Sequence, residues 1–357
     1  MVKIKNREFP ELDFLRFIAI TSVVIFHFTA RKYDLLPYGY LVEGSPWNLG
    51  WVGVNLFFII SGYVVSHSIL QSSNAKIFII KRLTRIYPTL WLILPIIYLC
   101  QKYTPYSIFK ERTSLVNLLG SMTLLPPTVL NFSNLIYFDW LTGVLWSLKV
   151  EIIFYILCYF LFNFFPYQRI LQIFLVLCAL TSTFLIITSK VNTDFASPFI
   201  FVLKGLGFDY LPWFILGMLF YQQKILKHKN FQKIFIFSVL AITVNVSMNG
   251  LSSDQVVELG VILLFAIVIF RGQNSRFIRL KIFQVLGFSS YEMYLIHWGL
   301  GFPILFFLIN EFNLARTESF ILMIVVVSLL FIISLFVSKI TLKLNTKLRK
   351  LLIRNAL

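Results

Sequence analysis

The sequence predicts an all-α, polytopic membrane protein, a bundle of about ten transmembrane helices. Of its 357 residues, 58% are hydrophobic and 13% are charged, and the mean hydropathy is +0.82. The chain therefore has too little polar surface to cover a soluble globule. Apolar windows long enough to cross a bilayer recur along the whole chain. Basic residues gather in alternate connections between these windows, as the positive-inside rule requires.

The candidate spans are apolar stretches of about 20 residues. They cover residues 14–30, 51–70, 86–100, 146–165, 170–189, 205–222, 232–248, 256–270, 286–309 and 319–338. Lys204, Asp209 and Pro212 interrupt the sixth stretch. Between the third and fourth spans, the apolar segment 114–126 is too short to cross, so an interfacial or re-entrant segment is predicted there.

The net charge of +17 would suggest a nucleic-acid partner in a soluble protein, but its distribution indicates a role in topology. With a cytoplasmic N-terminus, 22 of the 32 lysines and arginines lie on the cytoplasmic side and 8 outside. The cytoplasmic ones lie before the first span, at 76–85, 224–233 and 271–281, at Arg169 and after 338. We therefore expect both termini in the cytoplasm and no nucleic-acid partner.

We expect one membrane domain over residues 1–357, with a basic cytoplasmic tail at 339–357 and no fused soluble domain. No small-residue cleavage site follows the first span, so that span is predicted to be retained. Cys100, Cys158 and Cys178 lie in or at the ends of spans, without a CxxC motif or even pairing. Neither a disulfide nor a metal site is predicted from them.

The first span carries an arginine and a histidine, Arg16 and His27, and ionisable residues in lipid are functional candidates. Eleven positions at about 100° per residue return both side chains to one face, about 16 Å apart in helical rise. In one interpretation each residue marks a span end, with Arg16 snorkelling to its interface. In the other, their shared face lines a path through the membrane.

Polar residues in the second and fourth spans are predicted to meet this face. Asn55 lies one turn inside the second span and Ser61 near mid-membrane, while the fourth span opens with Trp146 and contains Glu151. A buried carboxylate costs several kcal/mol unless it is paired. Helical rise puts Asn55 and Glu151 at about the depth of His27. A histidine oriented by a carboxylate or an amide is suited to proton transfer.

Two further clusters break the apolar pattern. Lys81, Arg82 and Arg85 have helical spacing at the head of the third span and could hold phosphate groups. Simple anchoring by the positive-inside rule is the alternative. Tyr294 and His297 lie in the ninth span, where a lone histidine is also explained by ordinary packing and hydrogen bonding.

Together these clusters resemble the acyltransferase family 3 membrane domain, which in bacteria modifies cell-surface polysaccharides. The matching pieces follow the family's order over nearly the whole chain: Arg16 with His27, GVNLFFIISGY (53–63), KRLTRIYP (81–88), WSLKVEIIFY (146–155) and SSYEMYLIHW (289–298). The resemblance implies a multi-pass enzyme of the bacterial cytoplasmic membrane. Its reaction would move an acyl group, most often acetyl, from cytoplasmic acyl-CoA to a sugar hydroxyl on the outer side.

The resemblance also implies residue roles. The family's essential arginine and histidine correspond to Arg16 and His27, and its basic motif to Arg82 and Arg85 with Pro88. Two positions depart from the family pattern, because Asn55 stands where an aspartate is common and Ile152 where a second acid often follows. Roles that need a carboxylate at these two positions are therefore in doubt.

From the residues and the resemblance together we expect an O-acyltransferase with His27 as general base, oriented by Glu151 or Asn55. We expect Arg16, Lys81, Arg82 and Arg85 to hold the acyl-CoA donor. The expected substrate-binding residues are Asn55, Ser61, Trp146, Tyr294 and His297.

The expected partners are the lipid bilayer, acetyl-CoA or another acyl-CoA, and a surface glycan or lipid-linked sugar. A glycan-assembly complex or a separate outer esterase-like protein would be a further partner. One alternative function is a transporter or flippase for an acyl donor or lipid-linked sugar. A structural subunit of a glycan-assembly complex is the other.

Overall fold

The computed structural model of the protein describes residues 9–31, 33–39, 45–132, 137–190, 197–229, 231–249 and 254–354. These residues form helices and short connections, and no strand occurs within these ranges. The basic residues before the first span, which support a cytoplasmic N-terminus in the predicted topology, lie outside the described residues. The α-helices are α1 (Pro10–Thr29), α2 (Gly53–Leu70), α3 (Ala75–Tyr103), α4 (Leu115–Thr123), α5 (Pro127–Phe132), α6 (Leu145–Phe164), α7 (Tyr167–Lys190), α8 (Ser197–Leu206), α9 (Leu211–Lys224), α10 (Phe231–Asn249), α11 (Asp254–Arg271), α12 (Lys281–Phe288), α13 (Ser290–Ile296), α14 (Phe302–Glu311) and α15 (Arg316–Arg354).

The polytopic helical fold is confirmed. In the part of the chain that the structure describes, eight helices are long and apolar enough to cross a membrane, and a bent pair formed by α8 and α9 would be a ninth. The seventh predicted span coincides with α10, which has 19 residues and is apolar over Phe231–Val244.

The sixth predicted span is broken near the residues that interrupt its sequence. Pro198–Leu206 and Phe208–Lys224 meet at an angle of 61°. Gly207 lies at the break with φ of +82°, a backbone conformation that glycine adopts readily. The Lys149 ammonium in α6 donates to the Gly205 carbonyl at 2.6 Å. This bond satisfies a carbonyl that the end of α8 leaves without a helical partner.

Two polar contacts join helices near their ends. Lys224, at the end of α9, forms an ion pair with Glu11 in the first turn of α1. Arg349, near the end of α15, approaches Thr84 in the first part of α3, with Nε 3.4 Å from Oγ1. The predicted topology assigns the two members of each pair to the same face of the membrane, and each contact agrees with that assignment.

The last helix is longer than the predicted span. α15 has 39 residues, or about 58 Å at 1.5 Å per residue, against a hydrocarbon core of about 30 Å. The segment predicted as a basic tail therefore continues this helix as far as Arg354. It packs against the bundle, since the Thr341 hydroxyl donates to the Glu292 carboxylate at 2.9 Å.

The predicted interfacial or re-entrant segment forms α4. The Tyr87 hydroxyl donates to the Thr123 carbonyl at 2.8 Å, and the Trp91 indole N–H donates to the Met122 carbonyl at 3.0 Å. Both donors lie on α3. They satisfy carbonyls at the end of α4 that have no partner within that helix.

The ninth predicted span is divided into α12, α13 and α14. A π-helical turn, His297–Gly301, joins α13 to α14. Such turns are rare and frequently occur at functional sites. This one begins at a histidine that the sequence analysis selected.

Candidate active site

Two cavities among the described residues are lined by predicted site residues, and the first contains the arginines. It has an empty volume of about 570 Å³, and we call it the arginine pocket because Arg16 from α1 and Arg85 from α3 line it. Its other polar lining residues are Ser61, Ser147, Glu151, Ser290, Tyr291 and Tyr294. The pocket therefore combines guanidinium groups, a carboxylate and hydroxyls.

Glu151 is the hydrogen-bonded carboxylate of this pocket. Its Oε1 accepts from the Ser61 hydroxyl at 2.7 Å and from the Tyr155 hydroxyl. Arg82 and Arg85 are close enough to Glu151 to interact with its charge. A buried carboxylate is costly unless cations and donors surround it, and here both do.

Arg16 is held in place within its own helix. Its Nη1 lies 2.9 Å from Asp13 Oδ1, and the Asp13 side chain is buried. The two residues are three positions apart, a spacing at which helical side chains meet. This ion pair fixes the direction of a guanidinium that faces the pocket.

The second cavity, which we call the histidine cavity, is larger, with an empty volume of about 2090 Å³. Its lining includes His27, Asn55, Gln101, Trp146, Tyr294 and Trp298. Aromatic faces and side-chain amides surround one imidazole there. A large cavity of this composition suits a polar organic ligand.

His27 lines this cavity, and one hydrogen bond fixes the tautomer of its ring. Nδ1 lies 2.8 Å from the Val23 carbonyl oxygen, which can only accept, so Nδ1 carries the proton in the neutral ring. Nε2 is therefore left with a lone pair. The Val23 carbonyl therefore fixes the tautomer and orientation of the His27 ring, a role that a carboxylate plays beside many catalytic histidines.

His297 lies beside His27. The two ring centroids are 4.9 Å apart. His297 is fully buried, its Nδ1 bonds the Tyr294 carbonyl at 2.8 Å, and its Nε2 has no hydrogen-bond partner among the described residues. His297 packs behind the cavity rather than lining it.

Asn55 lines the histidine cavity and is fixed by a carboxylate. Its Nδ2 donates to Glu258 Oε1 at 3.1 Å, and Glu258 is fully buried on α11. The amide therefore has its N–H side turned to Glu258. The predicted placement of Asn55 at the level of His27 agrees with the cavity that they share.

The prediction that Glu151 lies level with His27 and orients it is wrong. Glu151 lines the arginine pocket, and His27 lines the histidine cavity. The reason is depth along the helices. Glu151 lies six residues into α6, about 9 Å from its start,, whereas His27 lies two residues from the end of α1.

Tyr294 is common to both cavities, as is Val54. The Tyr294 hydroxyl lies 2.7 Å from Ser147 Oγ and donates to the Val144 carbonyl at 3.0 Å. These bonds tie α13 to the start of α6. Tyr294 therefore stands at the boundary between the arginine pocket and the histidine cavity.

The remaining predicted residues surround these cavities. Lys81 donates to the Gln71 carbonyl and the Ser72 hydroxyl at 3.1 and 3.0 Å. The Arg82 guanidinium lies 5.9 Å from the centre of the Tyr155 ring. Trp146 faces the histidine cavity and packs near Tyr210, with ring centroids 5.1 Å apart.

Sequence reasoning missed four residues of the site: Tyr155, Glu258, Glu292 and Arg349. Tyr155 ends the motif WSLKVEIIFY and Glu292 lies within SSYEMYLIHW, both without a predicted role. Glu258 lies inside the eighth predicted span, 256–270. Its position four residues after Asp254, within an apolar helix, was the available signal,. Arg349 carried no signal that separates it from the other basic residues after 338.

These features define an integral membrane protein whose buried polar residues form two adjoining cavities. The chain belongs to the acyltransferase domain family, whose model matches residues 9–342. The expected family membership is confirmed.

Two curated proteins are similar to parts of the chain. The peptidoglycan O-acetyltransferase OatA of Listeria monocytogenes is 29% identical over 164 residues, which cover 42% of this chain and 23% of that protein. Nodulation protein 10 of Rhizobium leguminosarum is 28% identical over 167 residues, covering 40% of this chain and 41% of that protein. The matches thus span less than half of either relative. No solved structure matches the chain at a significant level.

Proposed function

We propose that the protein is an O-acyltransferase of the bacterial cytoplasmic membrane that uses cytoplasmic acyl-CoA, most simply acetyl-CoA. The acceptor is a hydroxyl of a cell-surface or lipid-linked glycan. Family membership and the similarity to a peptidoglycan O-acetyltransferase support this class of reaction. The observation that carries the proposal is the bond from His27 Nδ1 to the Val23 carbonyl, which leaves Nε2 as a base at the histidine cavity.

His27 acts as the general base in this proposal. A sugar hydroxyl is a weak nucleophile until a base takes its proton during attack. The hydroxyl oxygen bonds to the thioester carbonyl carbon while the proton moves to His27 Nε2. The carbon–sulfur bond then breaks, and the proton passes from His27 to the departing thiolate. The products are an ester and a free thiol, and His27 returns to its neutral form.

The donor occupies the side of the arginine pocket. Arg16 and Arg85 line that pocket, and Lys81 and Arg82 lie one turn before Arg85 on α3. Guanidinium groups bind phosphate oxygens through paired, charge-assisted hydrogen bonds. The acyl end extends past Tyr294 toward His27, since Tyr294 borders both cavities.

The acceptor occupies the histidine cavity. Trp146 and Trp298 offer aromatic faces there, and Asn55 and Gln101 offer amide groups. In this proposal Asn55, held by Glu258, orients the acceptor rather than the ring of His27. Ser61 and Glu151 belong to the donor side, where Ser61 bonds Glu151 and the Glu151 charge acts on Arg82 and Arg85.

The test compares surface glycans from cells with and without the protein by NMR and mass spectrometry. The wild type is expected to add O-acetyl signals that His27→Ala abolishes while membrane insertion stays unchanged. His228→Ala is the matched control, because His228 is exposed. O-acetyl signals that persist in His27→Ala would contradict the proposal.

A transporter is separated from a transferase by two further measurements. If the protein were a transporter, it would need no base, and His27→Gln would retain much of the transport activity. A purified transporter supplied with acetyl-CoA and acceptor would release no free thiol. An acyltransferase releases one thiol for each acyl group transferred and loses that release in His27→Gln.

A further inference from the structure

The end of α15 brings a fourth cation to the basic end of the bundle. Arg349 Nε lies 3.4 Å from Thr84 Oγ1 on α3. Thr84 lies between Lys81 and Arg85 in the sequence. The charge of Arg349 acts on Lys81, and that of Arg85 acts on Arg349. The guanidinium of the last helix therefore joins the basic cluster of the third.

The cations of this cluster are of two kinds. Arg82 and Arg85 lie within the field of the Glu151 carboxylate, and Arg85 also within that of Glu292. Lys81 instead bonds neutral groups, the Gln71 carbonyl and the Ser72 hydroxyl. Across the described ranges, no carboxylate forms an ion pair with Lys81 or Arg349. These two cations repel each other without internal compensation.

Arg82 adds donors that lack acceptors. Its Nε and Nη1 are buried and have no hydrogen-bond partner within the described part of the chain. The charge of Arg85 also acts on Arg82. Adjacent cations with unused N–H groups form a site that an anion with several oxygen atoms would satisfy.

We propose that Arg349 and Lys81 complete a phosphate-binding site beside the arginine pocket, and that this site holds the phosphorylated nucleotide of the acyl donor. The inference rests on the proposed function for the identity of the donor. It assigns a purpose to the extension of α15, because a helix that stopped at the bilayer surface would not bring Arg349 to Thr84. Arg349 would bind phosphate oxygens through its terminal nitrogens while Nε stays near Thr84.

The first test measures binding of CoA and of pantetheine, which lacks phosphates, to the full-length protein in nanodiscs. Arg349→Gln is expected to weaken CoA binding about tenfold, the effect of losing one charge-assisted hydrogen bond. Pantetheine binding should not change. Arg349→Lys should weaken CoA binding less, because lysine keeps the positive charge but lacks the paired N–H donors of the guanidinium. Arg354→Gln is the matched control, since Arg354 is exposed on the same helix.

Unchanged CoA binding in folded Arg349→Gln would overturn the inference, as would equal weakening of CoA and pantetheine. Nanodiscs of neutral lipid and of anionic lipid distinguish the donor from a lipid headgroup. An effect of Arg349→Gln that appears only with anionic lipid would assign the site to a headgroup and overturn the inference.

Acyl transfer then separates this inference from the proposed function. CoA binding that depends on Arg349 in a protein that transfers no acetyl group would support the site and contradict the proposed function. Transfer by the wild type with the same KM for acetyl-CoA in Arg349→Gln would contradict the site alone. The expected result is a KM about tenfold higher with kcat within about twofold.

Discussion

The imidazole rings of His27 and His297 pack edge to face, with centroids 4.9 Å apart and ring planes at 73°. Each ring bonds through Nδ1 to a backbone carbonyl about one turn earlier on its own helix. Each neutral ring therefore keeps Nε2 as its acceptor. His27 faces the histidine cavity, and the fully buried His297 supports its ring from behind.

This packing predicts a graded response at His297. An edge-to-face aromatic pair contributes about 0.5–1.5 kcal/mol, so His297→Ala should lower kcat for acetyl transfer up to about tenfold. His297→Phe keeps the ring contact and should recover activity to within about threefold of the wild type. The measurement is thiol release at saturating donor. Equal loss in both variants would show that the His297 nitrogens, rather than its packing, are needed.

The bond from Asn55 to Glu258 predicts a charge conflict on substitution. Asn55→Asp would replace the amide donor, 3.1 Å from Glu258 Oε1, by a second acid in a buried site. The loss of the hydrogen bond is expected to cost about 1–3 kcal/mol, and more while both acids are ionised. Thermal unfolding of the detergent-solubilised protein and acetyl transfer should both show the loss.

A compensating change at Glu258 provides the control for Asn55→Asp. The double variant Asn55→Asp with Glu258→Gln again has one amide and one carboxylate. The amide donor then lies at position 258 and the carboxylate acceptor at position 55. The double variant is expected to unfold at a higher temperature than Asn55→Asp alone. Additive losses in the two single variants would contradict direct coupling between these residues.

Glu151 is predicted to matter for the arginines rather than for His27. Glu151→Ala removes the carboxylate that acts on Arg82 and leaves Arg85 with Glu292 alone. Leaving a buried charge without its opposite charge is strongly destabilising, by up to about 3–5 kcal/mol. Glu151→Gln keeps an acceptor for the Ser61 and Tyr155 hydroxyls and should lose less stability. Unfolding temperature is the measurement. Full stability in Glu151→Ala together with lost transfer would instead indicate a direct role in the chemistry.

Helical periodicity explains what the sequence could predict of the site. Arg16 and His27 lie on one helix, so their shared face follows from local geometry alone. α6 begins at Leu145, one residue before the predicted span, so the position of Glu151 along its helix was predicted correctly. The error lay in treating a residue about 9 Å into α6 as level with His27, which lies two residues from the end of α1,.

Partners far apart in the chain could not be predicted in the same way. Asn55 and Glu258 are 203 positions apart, and several acids would have been equally compatible with the sequence. Arg349 was assigned to a tail because the apolar pattern ends near residue 338, although the helix continues in polar sequence to Arg354. Hydropathy marks where a helix leaves lipid, and other contacts decide where it ends.

The scaffold that positions the site depends on close contact between α2 and α9. A Cβ at Gly62 would lie 1.9 Å from the Phe214 carbonyl oxygen, and one at Gly217 would lie 2.0 Å from the Ile59 carbonyl oxygen. Backbone atoms cannot move aside as a flexible side chain can, so Gly62→Ala should cost at least about 1–3 kcal/mol by overpacking. Gly260→Ala is the matched helical control, because its Cβ would meet nothing within 4 Å, and alanine favours the helix. A lower unfolding temperature for Gly62→Ala alone is expected. Equal unfolding temperatures for the two variants would mean that α2 and α9 are farther apart than their glycines indicate.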